Sequence, residues 1–194
     1  MPTPWLKRIK ETGRLTLFDK AGAWSKALKA AVKTFNDLKL GVTLDFEKEE
    51  KSANIVVIIA EGPKKYNYYG DVAGTNANFK ADQLHGYAAT FVDKKKNEIF
   101  FAVIFLPGIV KNVTDKQKEV IIIHELLHAC GLNGLNDPSD DHEIAGIMNG
   151  TMVRQEDGGL LEQLPDKGAK SMPPIRLGGQ TICKMQKLWA VKKP

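Results

Sequence analysis

The chain's 194 residues, 43% of them hydrophobic, suffice for one globular domain with a real core, split by a cleft into two lobes, and no apolar run is long enough to span a membrane. The net charge of +5 is scattered over lysines such as Lys64, Lys65, Lys94, Lys95 and Lys96, with no basic helix interleaved with aromatics; a solvated surface and no nucleic-acid partner are expected. The opening MPTPWLKRIKETGR has charge but no apolar core segment, so no secretory signal peptide is expected, and the protein is expected to be soluble with no membrane partner.

RLTLF (14–18) alternates as a short strand does. The stretch AWSKALKAAVKTFNDLKL (23–40) then places Trp24, Leu28, Ala31, Val32, Phe35 and Leu38 at helical spacing, with Gly41 as the stop. VTLDF (42–46) alternates again, and ANIVVIIA (53–60) is a continuous β-branched run suited to a central strand buried on both faces. Residues 61–83, rich in Gly, Asn, Lys and Tyr, read as a long loop. LHGYAATFV and NEIFFAVIFLP flank a DKKK turn as a hairpin would. The next helix, TDKQKEVIIIHELLHAC, starts with a capping box of Thr114 and Gln117 and closes at Gly131. A long aperiodic stretch follows, and Ile182, Met185, Leu188 and Trp189 mark one face of a terminal helix. The order is β-α-β-β-β-β-α, loops, then α, a mixed sheet with helices packed against it. Cys130 and Cys183 make no disulfide framework; two buried free thiols are expected, with pairing open if the last helix packs on the helix before Gly131.

The third helix carries His124-Glu125-x-x-His128. Residues four apart share a helix face, so each histidine can offer one imidazole nitrogen to a single Zn²⁺. Glu125, beside the first ligand, can hold a water, take its proton and later pass that proton to a leaving amine. A five-residue pattern with three fixed positions also arises by chance. Here, however, two histidines and a glutamate interrupt the apolar run VIIIHELLHAC, where unpaired polar groups would be costly to bury. The metal reading is therefore preferred.

The segment resembles the metzincin metallopeptidases, whose pattern is H-E-x-x-H-x-x-G-x-x-H/D followed by a methionine turn. Gly131 matches the family glycine, and Met148 in GIMNG matches the methionine turn. Other parts are similar to the matrixin branch: ALKAAVKTFNDLKLGVTLDF with ANIVVIIA resembles the first helix and next strands, LHGYAATF the edge strand that lines the cleft, and LGGQTICKMQKLW the closing helix. The resemblance implies an α+β, zincin/metzincin-like fold: a mixed twisted sheet with an antiparallel edge strand, an active-site helix and a C-terminal helix. It implies one catalytic domain over 1–194, the upper lobe about 1–131 and the lower about 132–194.

This chain departs from the family where the third zinc ligand belongs, because Gly134 stands there and has no side chain to offer. Asp137, thirteen residues after His124, and His142, eighteen after it and six before Met148, are the candidates. His142 is favoured, since imidazole is a common third ligand and the short run to Met148 fits a chain passing under the metal; 132–141 then becomes an inserted loop. Asp137, Asp140 and Asp141 otherwise read as loop charges, or one of them orients a ligating histidine. Gly150 stands where some branches have a tyrosine, so a tyrosine switch is excluded, and with no matrixin-like propeptide cysteine motif in the sequence, cysteine-switch latency is not expected. His85 reads as a structural residue. The implied function is that of a monomeric zinc endopeptidase with Glu125 as general base, His124, His128 and His142 as zinc ligands, and a peptide or protein as substrate, its extended chain added to the edge strand. A non-catalytic zinc-containing module and a zinc hydrolase of a small amide are the rival readings.

Overall fold

The β-branched run at 55–60 becomes the middle strand of the molecule. In the computed structural model the described residues are 2–132, apart from 76, 78, 83, 84 and 112, together with 160, 161, 176, 177 and 179–190. Strands β1 (Arg14–Lys20), β2 (Thr43–Phe46), β3 (Ile55–Ala60), β6 (Tyr87–Asp93) and β7 (Glu98–Pro107) form a five-stranded sheet in the order β2-β1-β3-β7-β6. The first three and β7 are mutually parallel, and β6 closes one edge antiparallel to β7. The fold is thus α+β with a mostly parallel sheet and an antiparallel edge strand. A short antiparallel pair, β8 (Leu160–Leu161) with β9 (Arg176–Leu177), lies later in the chain.

Alternation along the strands sorts their side chains into two cores. Ile55 and Val57 of β3 and Ala102, Ile104 and Leu106 of β7 face the helices. There they meet Leu28 and Phe35 of α2 (Ser25–Asp37) and Ile122 and Leu126 of α3 (Asp115–Ala129). Val56, Ile58, Phe101, Val103 and Phe105 face the other way. That second face is covered by a hairpin, β4 (Lys65–Tyr68) and β5 (Asp71–Gly74), where a loop was expected. Tyr68 stacks on Phe101 at 3.8 Å between centroids, and the Tyr66 hydroxyl donates to Glu50 at 2.7 Å. The two residues at the tip, Tyr69 and Gly70, have φ of 50° and 95°, the left-handed pair that a tight hairpin turn requires.

Two further expectations are corrected. The left-handed residue that ends α2 is Lys39, with φ 52°, directly after the cap at Leu38. Gly41 is left-handed as well, but what it provides is space: a Cβ there would lie 3.2 Å from Cβ of Trp189 in α4 (Gly179–Trp189). Neither cysteine forms a disulfide; Cys130 is buried as expected, but Cys183 is exposed. Helix α4 turns Thr181, Met185 and Trp189 inward, and position 183 falls on the opposite face.

The capping box opens α3 as read: the Thr114 hydroxyl oxygen accepts from the Gln117 N–H at 3.2 Å, and the Gln117 side chain accepts from the Thr114 N–H at 3.0 Å. The other end of α3 is built around Gly131, whose φ is 103°. Gly131 N–H donates to His128 O at 2.9 Å and Leu132 N–H to Leu127 O at 3.1 Å, the pairing of a Schellman turn. The remaining carbonyls are taken up from both ends of the chain. The Trp5 indole donates to Ala129 O at 2.9 Å, the Trp189 indole to Cys130 O at 3.1 Å, and Thr3 N–H to Gly131 O at 2.9 Å. Among the described residues no helix is long and apolar enough to cross a membrane.

A side chain at Gly131 would meet the Thr3 carbonyl and force a left-handed backbone on an L-residue. Gly131→Ala should lower unfolding stability by about 1–3 kcal/mol, read from urea midpoints at constant slope. A loss under about 0.5 kcal/mol would show that the junction relaxes freely.

Candidate metal centre and active site

Helix α3 is apolar on almost every side, with Val120, Ile121, Ile122, Ile123, Leu126, Leu127 and Ala129 all buried. The polar groups it carries inward are therefore held in defined places. His124 and His128, one turn apart, bring their Nε2 atoms to 3.1 Å of each other, with the rings nearly perpendicular at 80°. His128 Nδ1 lies 2.7 Å from the carbonyl oxygen of Leu132. A carbonyl only accepts, so Nδ1 carries the hydrogen and donates, and in the neutral imidazole Nε2 then presents its lone pair toward His124. Leu132 owes its position to the Schellman turn at Gly131, so the way the helix ends sets the tautomer of the histidine inside its last turn.

This donor set fits zinc. Two imidazole nitrogens on one tetrahedral zinc, at about 2.0–2.1 Å each, are about 3.3–3.4 Å apart, close to the observed separation. A metal-ligating histidine characteristically donates its other ring N–H to a carbonyl or carboxylate, as His128 does here. Among the described residues no group of three or more His, Cys, Asp or Glu side chains is placed so that it could hold a metal ion. His142 and Asp137, the candidates for the third ligand, lie outside the described residues, as do Gly134, Met148 and Gly150.

Glu125 is only 5% exposed. Its carboxyl is pressed against the start of the edge strand β6 and accepts a hydrogen bond from the Ala88 N–H. Burial pushes the carboxyl up to about 8, and the Ala88 N–H works in the opposite direction. A cation held by the two imidazoles would also act against the rise. Among the described residues β6 is paired on one side only, with β7, and its outer edge has no strand partner.

His85 belongs to its own loop: Nε2 lies 2.8 Å from Lys80 O, and the ring packs on Phe79 with centroids 4.7 Å apart. Gly86 and Ala88 are contacts of Glu125 that the sequence reading did not single out. The available signal was a glycine opening a strand, which marks close approach by another group. No protein-family model matches the chain, and no curated protein matches it.

The His128 contact is open to direct test. Long-range ¹H–¹⁵N spectra at neutral pH should show Nδ1 of His128 as the protonated nitrogen. A protonated Nε2 would show that the bond to Leu132 is not made.

Proposed function

We propose that the chain is a zinc-dependent endopeptidase of the metzincin type, with residues 1–194 as its catalytic domain. The observation that carries this reading is the convergence of His124 and His128 through Nε2 at 3.1 Å, one of them oriented by a backbone carbonyl, on a helix that also buries the carboxyl of Glu125. His124 and His128 hold the metal, and His142 completes the set, with Asp137 as the alternative. Zinc bound there supplies a Lewis acid that polarises a carbonyl and makes water a stronger acid near neutral pH.

The chain's own groups do the rest. Glu125 accepts a proton from the attacking water at a carboxylate oxygen and returns it to the leaving amine. The backbone of β6 aligns the substrate: its outer edge, without a strand partner among the described residues, offers N–H and C=O groups other than the Ala88 N–H to an extended peptide. An open strand favours a polypeptide over a small amide as substrate. A zinc-holding module without catalysis gains nothing from a carboxyl this deeply buried, which costs stability unless it is used.

Glu125→Ala should keep its fold and its zinc by elemental analysis while peptide cleavage falls by about two to four orders of magnitude. Turnover near the wild-type rate on the same peptide would remove Glu125 from the chemistry. For the third ligand, His142→Ala should weaken zinc binding strongly in competition with a chelator. Asp137→Ala should weaken it by about 10–100-fold at most. The opposite ranking would assign the site to aspartate.

A further inference from the structure

At the entry to β6, Gly86 faces the side chain of Glu125. A Cβ built on Gly86 would meet Cγ of Glu125 and stand 2.8 Å from both its Cδ and its Oε1. The three nearest heavy atoms all belong to that one side chain. The backbone does not call for glycine here, since Gly86 is not among the glycines of positive φ. What position 86 requires is empty volume, and Glu125 fills it. The same carboxyl accepts from the Ala88 N–H two residues on, so it is held between a missing side chain and a main-chain donor.

We infer that Gly86 is a positioning residue for Glu125: the absent side chain lets the carboxyl rest flat on the edge strand, at a fixed distance from the strand along which a peptide would lie. This rests on the reading of Glu125 as general base. Any side chain at 86, even a methyl group, displaces the carboxyl. Glu125 has rotatable bonds, so the displacement is expected to take the form of a changed rotamer with the fold kept. A misplacement of about 1 Å in a reacting group costs on the order of 100-fold in rate. The groups of β6 other than the Ala88 N–H keep their places when the carboxyl moves, so the loss should fall on kcat more than on KM.

The test combines kinetics with a stability cycle. Wild type, Gly86→Ala, Glu125→Ala and the double variant are prepared with zinc content measured. Gly86→Ala should bind zinc as wild type does and lose about 10–100-fold in kcat with a smaller change in KM. It should also lower Tm by about 2–10 °C in the wild-type background and by clearly less in the Glu125→Ala background, where the colliding side chain is gone. Wild-type kcat in Gly86→Ala overturns the inference. So does an equal Tm loss in both backgrounds, which would mean that glycine serves the strand rather than the carboxyl. If wild type cleaves no peptide in a broad library, the proposed activity fails, and the Tm cycle alone still decides whether Gly86 makes room for Glu125.

Discussion

The last turn of α3 has to end inside the core, where each carbonyl that loses its helical partner must find another donor. The five carbonyls from Leu127 to Gly131 are satisfied by four means: a Schellman turn at Gly131, which takes two of them, the indoles of Trp5 and Trp189, and the N–H of Thr3. Each bond is worth about 1 kcal/mol net, but leaving a buried carbonyl unpaired costs more than making the bond gains. The arrangement therefore tolerates little variation, and it fixes where Leu132 lies. Through Leu132 it fixes His128, and through His128 the direction in which a lone pair meets His124. The histidine pair is thus oriented by the way the helix stops, in addition to the way it runs.

The edge strand is the second constraint. Strand β6 is held by β7 on one side and touched by Glu125 on the other. A strand with one unpaired edge is normally a liability. Here its N–H at Ala88 is already engaged by a carboxyl from the helix, which ties sheet and helix together at the candidate site. The far face of the sheet is closed by aromatic stacking: Tyr66 and Tyr68 lie over Phe101, and Tyr69 projects from the hairpin tip with 80% of its surface exposed. Two layers of side chains, one under helices and one under a hairpin, pack β3 and β7 on both faces.

Much of this was legible in the sequence because it follows from period and spacing. The run IVVIIA announces a strand with no solvent face, Thr114 and Gln117 announce a helix start, and histidines four apart announce a shared helix face. The hairpin at 65–74 was hidden because KYNY has no strongly apolar face until Phe101 supplies one, 33 residues beyond Tyr68. The left-handed residue that ends α2 is Lys39, while Gly41, left-handed as well, makes room for the Trp189 side chain, a contact across 148 residues that the local sequence does not show. Cys183 lies off the face marked by Met185 and Trp189, so the phase of α4 exposes it; the general tendency of free thiols to be buried gives way there to helix geometry. The partnership of Gly86 with Glu125 is of the same kind: a glycine is visible in a sequence, but what occupies its empty volume is not.

The two indoles that seal α3 come from opposite ends of the chain, 124 residues before their target in one case and 59 after it in the other. Contacts of such long range close late, after loops of that length have been brought together. During synthesis the helix can form, and its histidines can be present, well before Trp189 has left the ribosome. The Cys130 carbonyl gains its indole donor only when Trp189 arrives. The seal over the end of α3 is thus completed by segments far apart in the chain, whereas the turn that aims His128 uses only neighbouring residues.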